Sequence, residues 1–224
     1  MDEDKEIKQG NSNGRRMDGF PPAPDNGPSP KEMKTLFLLH GYSGDAGNWV
    51  PEWLCEKYNF AIVIPSGENS FWLDAEATGH QFATFVGVEL VDYVRKTFGL
   101  ARRRENTYLM GFSMGGFDAL HTALQFPEVF GKTAALSSAL IVHEVAGMKA
   151  EGGTDGKGGN AIANYAYYRE CFGEPSKLLE NNREFHGFLD SLGVKHVYIE
   201  SKGIHDMIFW QEYATKFIPQ MMGE

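Results

Sequence analysis

Cysteine is nearly absent from this 224-residue chain: Cys55 and Cys171 are its only two. With no metal-type pair of cysteines close in sequence, neither a disulfide framework nor a cysteine zinc module is supported. No metal and no other cofactor is expected. There is also no run of the ~20 apolar residues that a bilayer-spanning helix needs, so no membrane partner is expected. Basic residues are outnumbered, 21 Lys and Arg against 30 Asp and Glu, for a formal charge of −9. The longest basic run is Arg102, Arg103, Arg104. A chain of this sign repels phosphate backbones, which argues against nucleic acid as a partner. The opening residues, MDEDKEIKQG, are charged and hold no apolar stretch, so they do not read as a secretory signal and a cytoplasmic location is expected. No internal repeat is present.

What the chain does have is apolar content, 42 %, with 13 % aromatic residues, enough for a sizeable core in one large domain or two small ones. It divides unevenly. Residues 1–33 are polar and hold Pro21, Pro22, Pro24, Pro28 and Pro30, five of the ten prolines. Such a stretch buries too little apolar surface to offset its ordering entropy and is expected to be extended or disordered. Residues 34–224 form the expected domain. TLFLL (35–39) and AIVIP (61–65) read as strands buried on both faces. Residues 81–98 carry Phe82, Phe85, Val86, Leu90, Tyr93 and Val94 at helical spacing. Further strands are expected at 106–110, 132–136 and 194–200, and helices at 117–126, 180–192 and 206–221. EGGTDGKGGN (151–160) reads as a loop or lid. The alternation implies an α/β fold, a mostly parallel, doubly wound sheet with flanking helices.

GFSMGG (111–116) lies between an expected strand and an expected helix, the context in which G-x-S-x-G is a nucleophile elbow. So sharp a turn strains the Ser113 backbone and lifts its Oγ above the sheet edge, and the glycines leave room for the neighbouring elements. The N–H of Met114, at the helix start, then points at a developing oxyanion. His40-Gly41-Tyr42-Ser43-Gly44 follows the first strand, where the N–H of Tyr42 is the natural second oxyanion donor and His40 is expected to be structural. A serine hydroxyl needs a base. Of seven histidines, His121 is carried away from Ser113 by helical spacing, and His80, His143, His186 and His196 read as surface residues. His205 lies between the last expected strand and the final helix, in the chain order Ser…His, and is the candidate base.

The segments LFLLHGYSGDAGNW (36–49), PSGENSFWLD (65–74), GFSMGGFDALHTAL (111–124), ALSSAL (135–140) and GIHDMIFW (203–210) resemble an esterase family of α/β-hydrolases. That family includes tributyrin and acetyl esterases, feruloyl esterases and S-formylglutathione hydrolase. The resemblance runs from about Met33 to the C-terminus. It implies an α/β-hydrolase fold and hydrolysis of short acyl esters, with a small-molecule ester as the partner. Ser113 would be nucleophile, His205 base, and Met114 and Tyr42 the oxyanion donors. Trp72 would lie near the acyl or alcohol pocket, with Trp210 a second bulky wall.

The departures from the family pattern bear on activity. The family carries another strand after the lid, ending in a turn whose Asp orients the catalytic His; here CFGEPSK (171–177) runs straight into a helix resembling the next family helix. The sheet is therefore expected to be short of that strand, and of the family's N-terminal strands. Glu174 is the candidate substitute acid, ahead of Glu180, Asp155, Asp190 and Asp206. In serine proteases, loss of the triad Asp lowers kcat by ~10⁴ while leaving ~10³–10⁴ over water. Two functions follow: a serine carboxylesterase for short-chain acyl esters, such as acetyl or feruloyl esters of carbohydrates, or a catalytically impaired relative acting as a binding protein or truncated form. With the strand gone, 132–136 and 194–200 are expected to pair directly. That pairing would move His205 about one strand spacing, ~4.8 Å, and out of hydrogen-bonding range of Ser113.

Overall fold

The computed structural model describes residues 33–75, 79–140 and 175–223. The chain enters the core at β1 (Lys34–Leu39), whose residues after Lys34 are all buried. Then come α1 (Glu52–Tyr58) and β2 (Phe60–Val63), followed by a two-residue hairpin of β3 (Asp74–Ala75) and β4 (His80–Gln81). Helix α2 begins at Phe82–Thr84, passes through a π-helical stretch, Phe85–Leu90, and finishes as Val91–Phe98. Gly99, in the left-handed conformation (φ 68°), ends it, as a helix C-terminus favours. β5 (Thr107–Phe112), α3 (Met114–Gln125) and β6 (Lys132–Leu136) form the second half of the sheet, and α4 (Pro175–Ser191) and α5 (Met207–Met222) close the chain.

The main sheet is parallel, in the order β2-β1-β5-β6. Successive strands move outward from β1 to one side and then from β5 to the other. The order therefore reverses between β1 and β5, the switch point at which ligands bind in open α/β sheets. Two apolar clusters cover the two faces. One gathers Phe37, Leu39, Leu109 and Met114 with α2 residues such as Val86, Val91 and Val94. The other gathers Leu36, Leu38, Met110 and Phe112 with Leu54 of α1 and Trp210, Ala214, Ile218 and Met221 of α5. Successive side chains of β1 and β5 point to opposite faces, so Leu36–Leu39 of β1 and Tyr108–Met110 and Phe112 of β5 supply both clusters.

One expectation fails here. Residues 194–200 form no strand, and β6 pairs with β5 alone among the described residues. The segment lies on α4 instead. Arg183 grips Glu200 through two bonds of 2.7 and 2.6 Å, and Tyr198 stacks on His186 with centroids 4.3 Å apart. Val197 and Ile199 are 73 % and 51 % exposed, so the alternation that suggested a strand has no core beneath it. α4 itself is tied to the end of β6 by Asn182, which donates to the Ser138 carbonyl at 2.7 Å, and by Asn181, which donates to Leu140. The Pro-rich segment 1–32, the Gly-rich stretch 151–160 and Cys171 lie outside the described residues; Cys55 is a free thiol.

Candidate active site

Ser113 stands between the last residue of β5 and the first of α3 with φ 54° and ψ −119°, a strained combination for a residue with a Cβ. Surrounding contacts over-determine it. Its N–H donates to the Leu136 carbonyl at 2.9 Å, and its own carbonyl accepts from Phe117 and Ala139. Glycine is obligatory next to it: a Cβ on Gly111 would lie 2.1 Å from the Gly115 carbonyl oxygen, and one on Gly115 would lie 2.3 Å from that of Leu39. Those contacts seat the start of α3 directly on the end of β1. The Met114 N–H, first in the helix, has no acceptor within α3 and sits at the positive end of its dipole.

The loop leaving β1 is fixed from below. His40 is buried, its Nε2 accepts from the Gly67 N–H at 3.0 Å, and its Nδ1 lies 2.8 Å from the Gly41 carbonyl. These partners assign the tautomer: the proton is on Nδ1, because Nε2 faces a donor. Trp72 is fully buried, 5.0 Å from the His40 ring, and its Nε1 donates to the His40 carbonyl at 3.3 Å. Trp72, expected near the acyl or alcohol pocket, thus supports the His40 loop from within the core. A Cβ on Gly41 would lie 3.3 Å from that of Ser113, so the backbone preceding Tyr42 runs alongside the serine. The Ser43 N–H donates to Asn69 Oδ1 at 2.7 Å, joining this loop to the 65–74 segment.

His205 is in reach of the serine. Its Nε2 lies 2.9 Å from Ser113 Oγ, which overturns the expected separation. The reason is that the histidine is held by α5 and not by a strand. Trp210, in the first turn of α5, stacks on Phe112 with centroids 4.2 Å apart, donates from Nε1 to Ser137 Oγ at 3.2 Å, and meets the His205 ring edge-on at 4.8 Å. Asp206 caps α5 by accepting the Phe209 N–H at 2.9 Å. Surrounding protein depresses the His205 pKa below the ordinary histidine value by desolvation, and the Asp206 charge opposes that shift.

Trp210, expected from the sequence as a bulky wall of the pocket, also backs the His205 ring. The aromatic spacing within GIHDMIFW was the available signal, since Trp210 falls five positions after His205 on the first turn of the helix that follows. A second group went unnoticed. Asp118 is fully buried in α3, accepts from Thr122 Oγ1 at 2.8 Å, and leaves Oδ2 without a partner among the described residues. His121 Nδ1 lies 3.5 Å from Asp118 Oδ1, a charge contact and not an aligned hydrogen bond. Burial raises the Asp118 pKa to about 6. Glu174, the candidate acid, lies outside the described residues, as do Asp155 and His143.

A parallel sheet whose order reverses beside a strained serine with a histidine against its oxygen defines an α/β-hydrolase fold, and the chain is a serine esterase. It belongs to the family described as "Putative esterase", whose profile matches residues 11–161. An acetyl esterase of Caldicellulosiruptor saccharolyticus is 36 % identical over 227 aligned positions, covering 83 % of this chain and 82 % of that protein. Among solved structures, the fluorophosphonate-binding serine hydrolase FphF of Staphylococcus aureus superposes with a TM-score of 0.67 at 22 % identity, over 86 % of this chain and 84 % of its own. A ferulic acid esterase gives 0.66 at 18 %, over 85 % of each chain. No described helix is long and apolar enough to cross a membrane.

Proposed function

We propose that the protein is a serine carboxylesterase for short-chain acyl esters that works through an acyl-enzyme on Ser113. The observation that carries this reading is the 2.9 Å contact between Ser113 Oγ and His205 Nε2. In this nucleophile elbow, His205 Nε2 takes the hydroxyl proton as Oγ adds to the ester carbonyl carbon. The Met114 and Tyr42 N–H groups receive the charge that develops on the carbonyl oxygen. The tetrahedral intermediate collapses as the alkoxide leaves with the proton from His205, and the acyl group stays on Ser113. A water, deprotonated by His205, then releases the acid. Glu174 is the candidate to orient the His205 ring in this scheme.

The acetyl esterase relative supports a short acyl group, and the ferulic acid esterase neighbour keeps feruloyl esters of carbohydrates within the class to be assayed. The contact also argues against an impaired binding protein, because a merely structural serine has no need of a base at its oxygen. A fluorophosphonate probe tests the assignment. It should label Ser113, as located by peptide mass, and Ser113→Ala should lose both labelling and p-nitrophenyl acetate turnover, by ~10⁴-fold or more. Labelling at another residue, or retained turnover in Ser113→Ala, would refute it.

A further inference from the structure

On α4, His186 and Asp190 stand one helical turn apart and His196 returns against them after the turn at Gly193. One ligand atom of each lies within 4.8 Å of the other two. Following the protons through the cluster exposes a conflict. The Val194 carbonyl, 2.8 Å from His196 Nδ1, can only accept, so that nitrogen carries a proton and Nε2 offers a lone pair. His196 Nε2 lies 2.7 Å from His186 Nδ1, which must then donate. His186 Nε2 in turn faces Asp190 Oδ2 at 3.5 Å, a contact that calls for a cation, a proton or a metal ion, between the two atoms. Asp190 Oδ1 is also 3.9 Å from His196 Nε2.

We propose that His186, Asp190 and His196 bind a divalent transition-metal ion of the zinc type. Two imidazoles and a carboxylate suit such an ion, and exposure of the cluster leaves a further position for water or an incoming ligand. Ligand atoms about one tetrahedral ion stand ~3.3 Å apart. With one ligand atom taken from each residue, the three lie within 4.8 Å of one another, so rotations of three partly exposed side chains are needed to draw them onto one ion. The outer contacts are those of a held site. The Val194 carbonyl sets the His196 tautomer, Tyr198 stacks on His186, and the Arg183–Glu200 pair pins the segment to α4. Sequence reasoning dismissed both histidines as surface residues and expected no metal, because the contact between positions 186 and 196 depends on a segment read as a strand. His196 stands nine residues ahead of His205, so an ion here would also tether the arm that carries the base.

The test is a titration of untagged, chelator-treated protein with ZnCl₂, read by competition against a chromophoric chelator. One ion per chain is expected. Outer-contact losses typically weaken a metal site 10–100-fold, so losing a ligand in His196→Ala or His186→Ala should weaken binding on the order of 100-fold. Asp190→Asn should weaken it with the fold unchanged by circular dichroism. His121→Ala, remote from the cluster, should bind like wild type. Zinc binding equal in wild type and the His186→Ala/His196→Ala double variant would overturn the proposal, as would absence of binding by wild type. The latter would leave a protonated His186 paired with Asp190 as the occupant of the contact.

Discussion

The two halves of the candidate site are held by different physics. Ser113 is placed by backbone: a strained turn between β5 and α3, hydrogen-bonded to β6, with glycines at 111 and 115 where no other residue fits. His205 is placed by side chains. It hangs on an exposed segment outside the sheet and reaches the serine because Trp210 is stacked into the core against Phe112. The first half cannot shift without moving the sheet; the second rests on side-chain contacts, the Trp210 indole among them. A nucleophile and its base need only meet within about 3 Å. Here that meeting survives without a strand beneath the histidine.

Substitution on the backbone side should have the largest effect. Gly115→Ala puts a methyl 2.3 Å from the Leu39 carbonyl oxygen and 2.6 Å from that of His40, both fixed backbone atoms. Relief would require separating α3 from β1. A stability loss of about 3 kcal/mol or more and no measurable esterase activity are expected. A variant with wild-type melting temperature would show that the two elements pack less rigidly than their contacts imply.

On the side-chain half, Trp210→Ala should cost about 3 kcal/mol by leaving a cavity against Phe112. It should also lower kcat more than it raises KM, since His205 loses the ring that backs it. Trp210→Phe restores stacking without the bond to Ser137 and should recover most of the kcat. If Trp210→Ala and Trp210→Phe melted differently yet turned over ester equally, Trp210 would be core packing alone.

The same contrast explains what could be read before the fold was seen. β1, β5, β6 and the Ser113 turn were evident because apolar runs, glycines and a serine at fixed spacing are local signals. Helix α3 begins at Met114, three residues earlier than expected, since the apolar spacing is clear only from Phe117 onward. The arm at 194–200 was misread because alternation of Val197 and Ile199 carries no information on whether a partner edge is free. What binds the arm, Arg183 to Glu200 and His186 to His196, is a set of contacts between segments that no periodicity announces. The burial of Trp72 beneath the His40 loop was not legible either, because it depends on the left-handed backbone at Phe71 and Trp72, φ 53° and 56°.

A smaller effect concerns the buried charge of α3. The folded-state pKa of Asp118, about 6, lies above its ordinary 3.8, so ionisation opposes folding. The cost is absent below about pH 3.8, grows as pH rises toward 6 and is full above it. Asp118→Asn keeps an acceptor for Thr122 Oγ1 and removes the charge. It should stabilise the protein at pH 8 by on the order of 1–3 kcal/mol and flatten its stability between pH 4 and 6. Urea titrations at the two ends of that range provide the check. Equal destabilisation at both ends would mean that Asp118 contributes through its hydrogen bond and not through its charge.

The mildest substitution separates the two terms acting on the base. Desolvation lowers the His205 pKa, and the Asp206 charge pushes it back up. In the proposed mechanism the neutral ring is the active form, so the acid limb of kcat/KM for the free enzyme should fall below the ordinary histidine value near 6.5. Asp206→Asn keeps the cap on α5, because the amide oxygen can still accept from the Phe209 N–H, while deleting the charge that favours protonation. The acid limb should then move to still lower pH, with melting temperature and plateau rate little changed. A limb displaced to higher pH would show that Asp206 acts on His205 by geometry and not by charge. A limb that stayed in place would assign the titration to another group, and with it the role of His205 as base would fall.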